Sequence, residues 1–201
     1  FQKRIEDKTM YAFLSRTVNK FPNRPALSFQ IKSGPKDHAE TFTWSQLLKS
    51  VTQTANAFRS LGVKDNDTVA YVLPNCNEAV ISFIGGVCAG IVCPISPLLG
   101  ADQIAGILRE INAKVVVTLA PFPKTDVAQR VDEAVKLAPG VQTVVEIDLK
   151  KYLTPPLSWI VPLIRPKLNR SHNAVVISFS KLLESHSGQR LAFDELLSHQ
   201  L

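Results

Sequence analysis

Five short, almost wholly apolar runs recur along the chain: TVAYVL (68–73), IVC (91–93), KVVVTL (114–119), TVVEI (143–147) and AVVISF (174–179). A strand with one face in water alternates apolar and polar side chains, whereas a strand apolar throughout must be covered on both faces. The segments between the first four runs carry helical spacing: Asn75-x-x-Glu78 opens one helix, Ala101 to Ile111 forms a second, and Val127 to Leu137 a third, closed by Pro139-Gly140. Strand and helix in alternation predict an α/β fold, a mostly parallel sheet flanked by helices.

The residues ahead of this pattern predict something smaller. Met10 to Asn19 reads as a helix with Thr9 as N-cap, stopped by Phe21-Pro22. Ala26 to Ile31 and Ala39 to Thr43 read as the two arms of a hairpin. Thr43-x-x-Gln46 matches a capping box, and the helix it starts places Leu47, Leu48, Val51, Ala55 and Phe58 on one side before Gly62 ends it.

Between Ala79 and Ala101 no residue is charged, which raises the question of a membrane span. Gly85, Gly86, Gly90, Pro94, Pro97 and Gly100 divide this run into a helix, a tight turn, a strand and a loop, so it reads as interior. Gly85-Gly86 and Gly90 read as close backbone packing, and Gly90, where the helix must stop abruptly, is also a candidate for the positive φ common in helix-ending glycines. The second apolar patch, Leu157 to Ile164, is too short to span. Trp159 beside Arg165 and Lys167 gives it the makings of a peripheral contact with a bilayer or a greasy substrate, although such a patch is more often an insertion packed on its own protein.

At 201 residues and 45% hydrophobic content the chain can bury a substantial core. The net charge of +6 is uneven: residues 148–192 hold seven basic residues against Asp148 and Glu184. No nucleic-acid-binding module accompanies this charge, so nucleic acid is not an expected partner. Cys76, Cys88 and Cys93 lie in apolar surroundings without C-x-x-C spacing and read as reduced thiols, pointing to a cytoplasmic setting. The first residues, FQKRIEDK, do not resemble a secretory leader, and Phe1 is expected to lie inside a longer polypeptide.

Chemistry is sparse. Neither G-x-G-x-x-G nor G-x-x-x-x-G-K-[ST] occurs, and no G-x-S-x-G elbow is present. His38, His172, His186 and His199 are scattered, and Asp132-Glu133 reads as the solvated face of a helix. Taken residue by residue, the chain is an α/β domain without a located active site.

A resemblance carries the reading further. Thr41-Phe42-Thr43-Trp44-Ser45-Gln46-Leu47 is followed by Leu61-Gly62-Val63-Lys64-x-x-Asp67-Thr68-Val69-Ala70, by Leu73-Pro74-Asn75-Cys76-x-Glu78, and by the run from Gly85 to Pro97. In order and spacing these pieces resemble the adenylate-forming superfamily of acyl- and aryl-CoA synthetases, adenylation domains and luciferases. The sequence departs from that pattern at Asn66, where glycine is common, and at Cys88. The fit is good over residues 10–147 and looser beyond, where Phe193 to Leu197 resembles the short helix ahead of the family's phosphate loop.

The resemblance implies the first lobe of such an enzyme's large domain over residues 1–147, an irregular linker or insertion at 148–172, and a continuation of the lobe over 173–201 that stops short of the phosphate loop. It implies that the parent enzyme uses ATP, Mg²⁺ and CoA, activates a carboxylic acid, with fatty acids among the candidates, as an acyl-adenylate, and passes the acyl group to a thiol. The remainder of the same polypeptide would be the lobe's partner. No residue here matches a catalytic, cofactor-binding or metal position of the family, so the 201 residues alone are expected to be inactive. Lys124 and Arg130 lie in the region where some relatives meet CoA phosphates, though solvated basic positions explain them as well. A non-enzymatic interaction module on the same scaffold is the alternative, and a nucleotide-binding oxidoreductase lacks its glycine motif.

Overall fold

The computed structural model describes residues 9–31, 34, 38–170 and 172–195. Helix α1 (Met10–Lys20) starts at Thr9, whose hydroxyl accepts a hydrogen bond from the Ala12 amide. Strands β1 (Pro25–Phe29) and β2 (Glu40–Thr43) pair antiparallel as the expected hairpin. Thr43 then caps α2 (Trp44–Ser60): its Oγ1 accepts from the Gln46 amide while the Gln46 side chain accepts from the Thr43 amide. Gly62, at φ 86°, turns the chain out of α2 in a conformation that favours glycine.

The remaining elements are β3 (Thr68–Val72), α3 (Asn77–Ala89), β4 (Ile91–Ile95), α4 (Ala101–Glu110), β5 (Val115–Leu119), α5 (Val127–Leu137) and β6 (Thr143–Ile147). A 3-10 turn (Leu149–Tyr152), α6 (Leu157–Ile164), β7 (Val175–Ser178) and α7 (Phe179–Glu184) follow. The five strands β3 to β7 form one parallel sheet in the order β4-β3-β5-β6-β7. The chain steps one way from β3 to β4, then crosses back over β3 to β5 and continues to β6 and β7. Right-handed crossovers in opposite directions put helices on both faces: α2, α3 and α7 pack together, as do α4 and α5.

The centre of the sheet is as dry as its sequence requires. Val69, Ala70 and Val72 of β3 and Val115, Val116 and Val117 of β5 are fully buried. The uncharged run 79–101 is thereby explained as α3, β4 and the loop after them. No helix among the described residues is long and apolar enough to cross a membrane.

Two expectations need correction. Gly90 does not take positive φ; its backbone is extended (φ 177°). Glycine is required there because a Cβ would lie 2.7 Å from the carbonyl oxygens of both Lys64 and Asp67, where the chain passes from α3 into β4 against the turn before β3. Asp132 is not on a solvated face: it is 6% exposed, while its neighbour Glu133 is exposed. One turn of α5 rotates Asp132 inward beneath the segment that enters β7, where the His172 ring lies 3.2 Å away. Gly85 behaves as expected, since a Cβ would meet the Thr54 side chain at 2.7 Å across the α2–α3 contact.

Within 148–172 the chain forms the 3-10 turn and α6, a helix whose outward face is apolar. Of the expected helix Phe193 to Leu197, Phe193–Glu195 is not helical and 196–197 lie outside the described residues.

Candidate functional site

Ligands in parallel α/β sheets gather outside the carboxyl ends of the strands. At that edge, beyond β6 and β7, a cavity of about 540 Å³ opens between Phe42, Ile81, Lys151, Ser158, Ser178 and Phe179. Its lining is mostly apolar, with serine hydroxyls and one charged wall.

Glu78, Asp148, Lys150 and Lys151 carry that charge, and behind Glu78 and Lys151 lies a cluster assembled from three distant pieces of chain: β2 supplies Glu40, the first turn of α3 supplies Asn77 and Glu78, and the 3-10 turn after β6 supplies Lys151 and Tyr152. Lys151 Nζ lies 2.9 Å from Glu40 and also pairs with Glu78, whose side chain is only 5% exposed. The Tyr152 hydroxyl donates to Glu78 Oε2 at 2.6 Å. Asn77 Nδ2 donates to Glu40 Oε2 at 2.8 Å and to the Glu40 carbonyl at 3.2 Å. The Lys151 ammonium also stands over the Tyr152 ring, 4.8 Å from its centre. Tyr152 is buried edge-on against Phe29 of β1, which ties the hairpin to the sheet.

The surroundings hold Glu40, Lys151 and Tyr152 each in one protonation state. Burial pulls the Glu40 carboxyl upward, but hydrogen bonds from Lys151 and Asn77 outweigh it and hold the group below its ordinary value. Burial pulls the Lys151 ammonium downward, and the hydrogen bonds and charges of Glu78 and Glu40 more than reverse this. Burial, with Glu78 beside it, drives the Tyr152 phenol far upward. A general acid or base works best when its pKa lies near the operating pH. An ionised Glu40, a charged Lys151 and a neutral phenol are suited to holding segments together and poorly suited to proton transfer.

The residues singled out from sequence take other places. Arg130 does not lie free on its helix: it donates to the Leu99 carbonyl at 2.6 Å and to Asp126 at 2.8 Å, tying α5 to the loop after β4. Lys124 is exposed on the loop after β5, at φ 64°. His186 is used within the fold, its ring within hydrogen-bonding distance of the Leu182 carbonyl at 2.7 Å and the Ser60 hydroxyl at 2.9 Å. His172 and Asp132 are close but out of line, and neither ring nitrogen makes a hydrogen bond. His38 is exposed, and His199 lies outside the described residues. The three cysteines are free; burial pushes the Cys76 and Cys88 thiols up to about 12, so neither is a ready nucleophile.

Glu78 belongs to a quoted motif. Glu40, Lys151 and Tyr152 carried no local signal, since Lys151 and Glu40 are 111 positions apart. Among the described residues no group of three His, Cys, Asp or Glu side chains could hold a metal ion. Glu40 and Glu78 are both committed to Lys151. The described residues of this cluster therefore do not fit a site for Mg²⁺ and a nucleoside triphosphate.

A parallel sheet wound on both faces, with a polar clasp and an open cavity at its carboxyl edge, defines an α/β lobe of the doubly wound class. The chain belongs to the AMP-binding enzyme family, which matches residues 14–179. It is 27% identical over 185 residues to a long-chain-fatty-acid–CoA ligase of Bacillus subtilis, covering 91% of this chain and 29% of that protein. A crotonobetaine/carnitine–CoA ligase of Salmonella arizonae is 35% identical over 103 residues, 51% of this chain and 19% of the relative. Among solved structures, the acetoacetyl-CoA synthetase of Streptomyces lividans superposes with a TM-score of 0.72 at 18% identity, covering 94% of this chain and 26% of the other. The chain thus spans less than a third of the length of these relatives.

Proposed function

We propose that this chain is the opening lobe of an ATP-dependent acid–thiol ligase that converts an organic acid to an acyl-adenylate and then to a CoA thioester. The observation that carries the reading is the family match over residues 14–179, together with relatives named as CoA ligases. ATP, Mg²⁺ and CoA would be held by residues of the longer polypeptide, because the groups described here are occupied with one another. The lobe's part is positional: the clasp of Glu40, Glu78, Lys151 and Tyr152 fixes the hairpin, α3 and the end of β6 around the cavity. The apolar lining of that cavity and the long-chain-fatty-acid–CoA ligase among the relatives favour a fatty acid as the substrate class. Three free thiols suit a reducing, cytoplasmic compartment.

Adenylation requires charge stabilisation at the α-phosphate and an aligned carboxylate, and loss of a single preorganised donor costs about 10²–10³ in rate. The 201-residue chain is therefore expected to be silent in acid-dependent ATP–pyrophosphate exchange, while the longer polypeptide exchanges with at least one member of a panel of fatty, aryl and short-chain acids. Exchange by the chain alone would place an active site within it. Silence of the longer polypeptide across the panel would favour a non-enzymatic module.

A further inference from the structure

Helix α6 is turned the wrong way for a helix of a water-soluble lobe. Of its residues Leu157–Ile164, Val161 is buried and anchors the helix on the protein. Trp159 is 70% exposed, Ile160 42%, Leu163 84% and Ile164 58%. At about 100° per residue, positions 159, 160, 163 and 164 form one continuous stripe on a helix. Water-soluble proteins scatter exposed apolar side chains singly; four on one face of a two-turn helix form a patch.

The charge around the patch says what it fits. No Asp or Glu occurs between Asp148 and Glu184, a stretch that includes Lys150, Lys151, Arg165, Lys167, Arg170 and Lys181. Lys151, Arg165 and Arg170 are engaged by Glu40 and Glu78, Asp148 and Glu146 respectively. Lys150, Lys167 and Lys181 make no ion pair with the described residues, and Lys167 is exposed three residues beyond the helix end. Cores of protein–protein interfaces are depleted of lysine. An apolar stripe carrying tryptophan, followed at once by lysine and arginine, is the chemistry of a helix lying in the headgroup region of an anionic bilayer. Pro162 within the helix is exposed and tolerable there, because the helix has only to lie on the surface.

We infer that α6, with the lysines flanking it, docks the protein onto the surface of an anionic membrane, the Trp159, Leu163 and Ile164 side chains entering the headgroup–acyl boundary. This surface is distinct from the clasp, and docking is independent of whether the polypeptide ligates acids. The alternative occupant of the stripe is the protein's own remaining chain.

The experiment uses the longer polypeptide. Sedimentation with vesicles of equimolar phosphatidylcholine and phosphatidylglycerol is expected to carry it down, with much weaker binding to phosphatidylcholine alone. Trp159→Ser/Leu163→Ser should lower the partition coefficient by about tenfold or more, and Lys167→Glu should weaken binding to anionic vesicles specifically. The emission that is lost on Trp159→Phe, taken as the difference between the two proteins, reports Trp159 itself and should shift to the blue on adding anionic vesicles, a readout that needs no activity and identifies the inserted side chain. Unchanged melting curves will show that the variants fold. Equal binding by the double-serine variant would overturn the proposal. So would a Trp159 emission already blue and inaccessible to acrylamide without vesicles, which would mean that the protein's own chain covers the stripe.

Discussion

Replacing Lys151 by methionine would keep most of the side chain's length and remove its charge, leaving Glu40 and the nearly buried Glu78 facing each other without a cation. Breaking a buried pair from one side typically costs about 3–5 kcal/mol, and because Lys151 is itself 38% exposed the lower end of that range is expected. The difference in melting temperature between wild type and Lys151→Met checks this. Its pH dependence follows from the directions already given. The Glu40 carboxyl is held below 4.5 in the folded chain, so its contribution is complete above that value and is lost as pH falls through the folded pKa. The Lys151 ammonium is held above 10.5, so its contribution is complete below that value and is lost as pH rises through the folded pKa. The gap between the two proteins should therefore be widest across the neutral range and narrow at both extremes. A gap that stays flat down to about pH 3 would show that Glu40 takes no part. Gly90 gives a second residue-scale test. Gly90→Val would drive a side chain into two carbonyl oxygens at 2.7 Å and should destabilise by about 3 kcal/mol or more. Gly106→Ala, with nothing within 4 Å in the middle of α4, should stabilise by about 0.5–1 kcal/mol. The opposite signs separate a steric requirement from a general intolerance of substitution.

At the scale of the element, the capping box of α2 is the local signal most directly confirmed. Thr43→Ala removes one half of the reciprocal pair and should cost about 1 kcal/mol in denaturant unfolding, with Thr43→Ser close to wild type. Such elements were legible because their determinants lie within a few residues of each other: an apolar run for each strand of the parallel sheet, a capping residue for α1 and α2, and helical spacing of apolar side chains for α1, α2, α4 and α5. Helix α6 was not legible as a helix, because the amphipathic pattern assumes that apolar side chains turn inward, and here they turn out. The clasp was legible only through Glu78. Its other members meet because β2, α3 and the turn after β6 converge, and convergence is a property of the tertiary fold. The inward turn of Asp132 was missed for a related reason: its surroundings on α5 are mixed, and the burial comes from the segment around His172, forty positions on.

For the whole molecule, the two ends of the five-stranded sheet are unlike each other. Strand β4 carries Pro94 in register with Tyr71, and proline, having no amide hydrogen, is found in sheets almost only along an outer strand. Strand β7 contains no proline, and Val175 at its start is 61% exposed. An incoming strand seeks a row of free donors and acceptors, which the β4 side interrupts and the β7 side leaves whole. Enlargement of the sheet is thereby given a favoured direction: further polypeptide meets an unbroken row of partners beyond β7 and an interrupted one beyond β4.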